Sequence, residues 1–339
     1  MSRVSVGGSG RVWAPRGRVL DWRAVADRDP YLGEGRTRRR PPRRRRGGPV
    51  LVLLGVALVA AIVVAIASSG GGSSSRQGGR ASSPGPRAGG PGGGARRSRG
   101  TSVASAAAQD AAVRRLARLG KPIYCAGRRG NLVALTFDDG PGPYTTLAFR
   151  KLHQNHDRAT FFVVGTSMQQ RGTKLLAREL AYGAVGDHTQ THPVLPALSP
   201  SAIHDQLASV KKTAERATGA PVLLFRPPYG ARTAEVDRQA QKLGLLQIIW
   251  DVDSRDSLGA NYAAITTNVL HETHPGSIIL MHENRGQTIR AMLKLLPALH
   301  RRHLRAVSLP ELLAADPPTD AQLRAGPLGC GAHAGRSGA

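Results

Sequence analysis

The sequence predicts an α/β fold, a parallel sheet with helical crossovers, standing behind a long N-terminal region without a core of its own. Three observations predict it. From Leu132 onward, short apolar runs of strand length alternate with amphipathic stretches of helix length, the pattern of successive β-α units. Gly and Pro punctuate the junctions, as turns require. The first hundred residues, by contrast, are dominated by Gly, Arg, Ser and Pro around one apolar block, a composition with little to bury.

In chain order, residues 1–48 lack apolar periodicity and end in RTRRRPPRRRRGG (36–48), so a disordered Arg-rich leader is expected. Residues 49–68 contain VLVLLGVALVAAIVVAIA, Val50 to Ala67, without a charge. As a helix this block just spans a bilayer core of about 30 Å. Eight Arg between Arg36 and Arg46 precede it, and the next charge after it is Arg76. The positive-inside bias therefore places the N-terminus in the cytoplasm and the rest outside, as a single-pass anchor in the cell membrane. Ala65-Ile66-Ala67 also has the small-x-small form of a cleavage site, so secretion after cleavage at Ala67 is the alternative. Residues 69–100 read as a flexible extracellular linker with a root-mean-square reach of roughly 30 Å.

The net charge of +26 invites a nucleic-acid reading, but its distribution argues against one. Twenty Arg and four acids in the first hundred residues account for +16 of it. The remaining +10 comes without a finger, RNP-type or basic-zipper pattern, so no nucleic-acid partner is expected. A basic exterior suits an anionic surface or polymer instead.

Within the folded region, 101–339, AAAQDAAVRRLARL (106–119) suits a helix stopped by Gly120 and Pro122. Strand-like runs follow at 132–137, 159–165, 184–187, 222–225, 245–252, 277–282 and 305–309. Between them, Pro200–Thr218 and Thr233–Leu243 read as helices closed by Gly219 and Gly244. Six or seven such units give a parallel sheet, closed or doubly wound. Two cysteines, Cys125 and Cys330, flank the units. In an extracellular domain an even pair reads as a disulfide, the alternative being two unpaired thiols. The chain-entropy estimate for such a bridge is about 4–5 kcal/mol.

Functional groups of parallel β-α folds gather at the carboxyl ends of strands. The first run ends in Asp138-Asp139-Gly140, two adjacent acids that repel each other unless a metal or guanidinium holds them. The third ends in Gly186-Asp187-His188-Thr189-Gln190-Thr191-His192-Pro193. Its imidazoles can reach one metal, and Pro193 places them on a loop. With Asp139 they form the ligand mix of a site that keeps a position open for water. The fourth run ends in Arg226, a permanent charge that needs an anionic partner, and Asp138 is the candidate. The fifth brings Asp251, Asp253 and Asp256, and the sixth brings His282. Beside Asp256, His282 can be held protonated as a general acid.

These motifs, in this order, resemble those of the polysaccharide deacetylases (carbohydrate esterase family four). TFDDG at 136–140 is similar to the family's first motif, and His188-Thr-Gln-Thr-His192 to its H-[ST]-x-x-H motif. Arg226-Pro-Pro-Tyr229 resembles R-x-P-Y, Asp253-Ser-Arg-Asp256 most of D-x-x-D-W, and Leu280-Met-His282 L-x-H. The likeness spans roughly 122–316 and implies a distorted (β/α)7-type barrel. It implies Asp138 as general base, His282 as general acid, and Asp139, His188 and His192 as metal ligands. Arg226 would orient Asp138, Asp256 would orient His282, the Tyr229 amide would face the oxyanion, and Leu280 the acetyl methyl group. The chain departs from the pattern at Ser257, where the family usually has Trp, which puts substrate preference in doubt.

The implied function is metal-dependent N-deacetylation of an N-acetylglucosamine polymer such as peptidoglycan or a chitin-like chain. Zinc suits the ligand set, and cobalt or manganese would also fit. Two alternatives stand beside it. One is an O-acetyl esterase on a wall polysaccharide, and the other is a non-catalytic glycan-binding wall protein.

Overall fold

The computed structural model describes residues 104–331 and two short strands, β1 (Arg11–Trp13) and β2 (Val19–Asp21). The expected membrane helix at 49–68 and linker at 69–100 lie outside the described residues, as does the rest of the leader. β1 and β2 pair antiparallel, with Val12 opposite Leu20 and Trp13 opposite Val19. Among the described residues no helix is long and apolar enough to cross a membrane.

The sheet is built around β3 (Leu132–Gly140), whose middle residues are all buried. One edge of β3 pairs in parallel with β9 (Ile278–His282), Ala134 opposite Ile278 through Asp138 opposite His282. The other edge is shared. β10 (Arg305–Val307) pairs with Leu132–Ala134, and β4 (Ala159–Val163) pairs with the half that carries the acids. Beyond β4 come β5 (Gly183–Asp187), β6 (Leu224–Phe225) and β7 (Leu246–Gln247), and beyond β9 comes β8 (Val252–Asp253). Every pairing in this sheet is parallel, as the β-α alternation predicts.

The run expected as one strand at 245–252 is two strands at opposite ends of the sheet order. Residues 248–251 cross between them, so one piece of chain spans both edges and the sheet curls into a distorted barrel. Ile123 pairs with the start of this crossing: its amide donates to the Gln247 carbonyl (2.9 Å) and its carbonyl accepts from Ile249 (2.7 Å). Periodicity could not show this, because an unbroken apolar run gives no sign of where its partner strand changes.

Strand alternation sorts the core into two clusters. Val133, Leu135 and Phe137 of β3 pack outward with Phe149, Phe161 and the helices. Ala134 packs inward with Phe162, Leu224, Ile278 and Leu280, joined by Val113 and Leu116 of the Ala106–Ala117 helix. Thr136 and Asp138 share the inward parity of Ala134. The Pro200–Thr218 helix has the expected bounds, with Ser199 as its cap and Gly219 in the left-handed region at φ 69°. The other two helices run Ala106–Ala117 and Ala234–Lys242, one or two residues short of expectation at each revised end.

Cys125 and Cys330 form a disulfide across a sequence separation of 205 residues, so the unpaired-thiol alternative falls. Replacing both by Ser is expected to lower unfolding free energy by about 4–5 kcal/mol at most in urea titration. An unchanged midpoint and slope would show that the bridge adds nothing.

Candidate active site

The site begins with a break in β3. The register slips between Asp138 and Gly140, and Asp139 sits in the left-handed region at φ 71°, which is unfavourable for a residue with a Cβ. The bulge lets two consecutive carboxylates serve one site instead of opposite faces. Seven non-glycine residues have positive φ among those described, and five belong to this sheet end: Asp139, Thr189, His192, Tyr229 and Arg255. Such concentration is typical of sites that hold groups in fixed positions.

The Asp139 carboxylate lies 3.7 Å from His188 Nε2 and 3.4 Å from His192 Nε2. Donor atoms of the three side chains all lie within 4.8 Å of one another. The His188 Nδ1–H donates to the Arg226 carbonyl at 2.7 Å, which leaves the Nε2 lone pair toward Asp139. His192 Nδ1 stands 3.1 Å from the Tyr229 hydroxyl, which holds that ring in its orientation. Burial, with His192 next to it, pushes the His188 pKa down to about 3, so its ring is neutral. Two imidazoles and a carboxylate fit a divalent cation, and the hydrogen bonds behind the rings aim them at a common point. Asn284 Nδ2 donates to the other Asp139 oxygen at 3.2 Å.

Asp138 is buried beside this triad, with Oδ2 3.7 Å from His188 Nε2. Its Oδ1 accepts from Arg226 Nη1 at 2.8 Å. Burial raises the Asp138 pKa, and the Arg226 charge works against it. Arg226 is fully buried. It also donates to Thr136 Oγ1 (2.7 Å) and the Ile249 carbonyl (3.1 Å), and its guanidinium lies 4.3 Å over the Phe162 ring.

Across the register pair from Asp138, His282 Nδ1 bonds Asp256 Oδ1 at 2.7 Å, and its backbone N–H donates to Oδ2 at 2.7 Å. The Thr288 hydroxyl and the Ser257 amide donate to the same carboxylate. Burial alone would lower the imidazole pKa, but the charge and hydrogen bond of Asp256 outweigh it and raise His282 to about 10. Nε2 is then the remaining donor. The structure divides the acids of the fifth run: Asp256 serves His282, Asp253 accepts from the Arg255 amide, and Asp251 pairs with His274. Leu280 is buried two residues before His282, on the same strand face. Tyr229 lies in the single turn Pro228–Gly230, and Ser257 is exposed.

Sequence reasoning missed several supports. Thr136 and Thr288 are small polar residues inside apolar stretches, with no signal to single them out. Glu283 had one, since it follows His282 directly. It is fully buried, its amide donates to the Asp138 carbonyl (3.3 Å), and it accepts from the Thr145 hydroxyl. Burial raises the pKa values of both Glu283 and buried Glu179 near it. Glu283 Oε1 lies where a Cβ on Gly140 would stand, 1.5 Å from its ideal position.

The polysaccharide deacetylase family profile matches residues 126–248. A chitooligosaccharide deacetylase from Bradyrhizobium sp. (strain ANU 289) is 36% identical over 199 residues, 53% of this chain and 90% of the relative. The chain belongs to the polysaccharide deacetylase family. Among solved structures, the Bc1960 peptidoglycan N-acetylglucosamine deacetylase superposes with a TM-score of 0.54 at 30% identity, covering 57% of this chain and 92% of that one. The fold is thus the family's barrel. A family pseudoenzyme from Bacillus anthracis, BA3943, also superposes at 0.54, with 29% identity over 57% of this chain and 68% of its own. Family membership alone therefore does not guarantee turnover, which depends on the side chains above.

Two outcomes follow from this geometry. Asp256→Asn removes the charge that raises His282, so its imidazole titration, followed by NMR, should move from about 10 toward the ordinary histidine value near 6.5. An unmoved titration would mean that Asp256 does not hold the proton there. Arg226→Met leaves Asp138 buried without its cation and should destabilise the fold by about 3–5 kcal/mol in denaturant titration. A loss below 1 kcal/mol would show that Asp138 is held by other means.

Proposed function

We propose that the protein is a metal-dependent hydrolase that removes N-acetyl groups from an N-acetylglucosamine-containing wall polysaccharide. The single observation that carries this reading is the arrangement of two opposed proton-transfer pairs around one ligand triad. Asp138 is paired with Arg226, His282 is paired with Asp256, and Asp139, His188 and His192 gather beside them at the same sheet end. A bare glycan-binding surface has no use for a buried carboxylate opposite an imidazole held protonated. The polymer class is supported by the relatives, which are named for chitooligosaccharide and for peptidoglycan N-acetylglucosamine.

A divalent cation on Asp139, His188 and His192 would supply Lewis-acid polarisation of the acetyl carbonyl and acidify the attacking water. Zinc suits these donors, with cobalt and manganese compatible. The remaining work falls to the protein. Asp138, ionised against Arg226, takes the proton of the attacking water. The Tyr229 amide is assigned to the developing oxyanion, and Leu280 to the acetyl methyl group. His282 donates its Nε2 proton to the sugar nitrogen as the carbon–nitrogen bond breaks, so acetate and a free amine leave. An amide needs that proton more than an ester does, because without it nitrogen would have to leave as an anion far more basic than an alkoxide. The protonated histidine therefore favours N- over O-deacetylation. The apolar block Val50 to Ala67 and the Arg run before it support the setting: a cytoplasmic N-terminus, one membrane helix and a catalytic domain outside, within reach of the wall.

The test is acetate release by the full-length chain in detergent, with zinc or cobalt, from N-acetylated chitooligosaccharides and from an O-acetylated polysaccharide. Release from the N-acetylated substrate, abolished by chelation, is expected. Asp138→Asn and His282→Ala should each lower kcat by about 10²–10⁴-fold while retaining stoichiometric metal. Release only from the O-acetylated substrate would make the protein an esterase. No release from either, with metal bound, would leave a non-catalytic glycan binder.

A further inference from the structure

Outside the barrel, between the Thr145–Asn155 helix and the end of the Lys174–Ala181 helix, lies an open cavity of about 250 Å³. Its lining residues are Thr146, Phe149, Arg150, His153, Arg178 and Tyr182. Thr146, Phe149, Arg150 and His153 fall on one stripe of their helix, at spacings of three, four and seven. Arg178 comes from the last turn of the second helix and Tyr182 from just beyond it.

The cavity has a rigid floor. Phe149 is buried and packs edge-on against Phe161 of β4, with ring centroids 5.7 Å apart. Its other contact is a stack on Tyr182, at 5.1 Å and an interplanar angle of 14°. His153 meets the Tyr182 ring edge-on at 6.4 Å. The exposed Arg178 side chain lays its guanidinium 4.9 Å above the Phe149 ring. No carboxylate lines the cavity, and among the described residues neither Arg150 nor Arg178 has an ion-pair partner. Two permanent cations and an imidazole thus share one concavity without a counter-charge.

We propose that this cavity is an anion subsite that takes a phosphate group. A planar carboxylate is satisfied by a single guanidinium fork. Two guanidiniums from different helices offer two separate sets of donors and suit the tetrahedral oxygens of phosphate better. The volume exceeds what the bare ion fills, leaving room for the ester-linked group of a phosphodiester. Arg150 stands five residues beyond Thr145, roughly 8 Å along the helix by its rise. Thr145 itself touches Glu283 beside the candidate active site. A phosphate held here would therefore leave the mouth of the barrel open. The same ligand chemistry has two sources, free inorganic phosphate and the phosphodiester groups of an anionic polymer.

Isothermal titration of the full-length protein with inorganic phosphate tests the proposal, and poly(glycerol phosphate) as a competitor separates the two sources. Saturable one-site binding is expected, weakened at least tenfold in an Arg150→Gln/Arg178→Gln double variant whose thermal midpoint matches the parent. Competition by the polymer assigns the subsite to a phosphodiester chain, and phosphate binding without competition assigns it to the free ion. Equal binding by parent and double variant, or no saturable binding of either probe, overturns the proposal. His192→Ala serves as a control for phosphate held at the ligand triad and should leave the arginine-dependent binding intact.

Discussion

The Arg226–Asp138 ion pair is the constraint on which the rest of the site depends. Both side chains are buried, so each must recover its lost hydration from the other and from fixed dipoles. Arg226 gathers those dipoles from across the barrel. Thr136 and Asp138 come from β3, the Ile249 carbonyl comes from the segment that spans the sheet edges, and the Phe162 ring comes from β4. Its own carbonyl accepts from His188 and so sets the tautomer of a candidate ligand. One residue thereby couples the base, the triad and the closure of the sheet.

Opposite it, Asp256 does for His282 what Arg226 does for Asp138, with the charges reversed. Four donors converge on the Asp256 carboxylate: the His282 ring and amide, Thr288 and the Ser257 amide. Such saturation holds a carboxylate ionised despite burial and lets it stabilise an imidazolium. The two pairs face each other across adjacent strands because Asp138 and His282 are register partners. Parallel pairing at that one position places a proton acceptor and a proton donor side by side, next to the triad.

Much of this was legible in the sequence. Apolar runs ending in acids, histidines and an arginine placed the chemistry at one end of a parallel sheet, and Pro193 put the two histidines on a loop. The expectation that Arg226 seeks Asp138 follows from a charge that cannot be shed. What escaped has physical reasons too. The apolar stretch at 245–252 hides its division because β7 and β8 both need apolar residues, whichever strand they face. The left-handed backbone at Asp139 and His192 is invisible, since neither residue advertises positive φ as glycine does. Thr136, Thr288 and Glu283 matter through partners 90, 32 and 138 residues away in the chain, beyond any local pattern.

The fit of Glu283 against Gly140 carries a consequence for how this site can change over generations. A Cβ at Gly140 would coincide with the carboxylate of Glu283, so neither position is free to vary alone in the direction of greater bulk. A lineage that replaced the glycine would first have to shorten or withdraw the acid. That would strip Thr145 of its acceptor and loosen the turn that follows the paired aspartates. The order of substitutions is thus restricted by geometry, and the two residues, 143 positions apart in the chain, drift as a single unit.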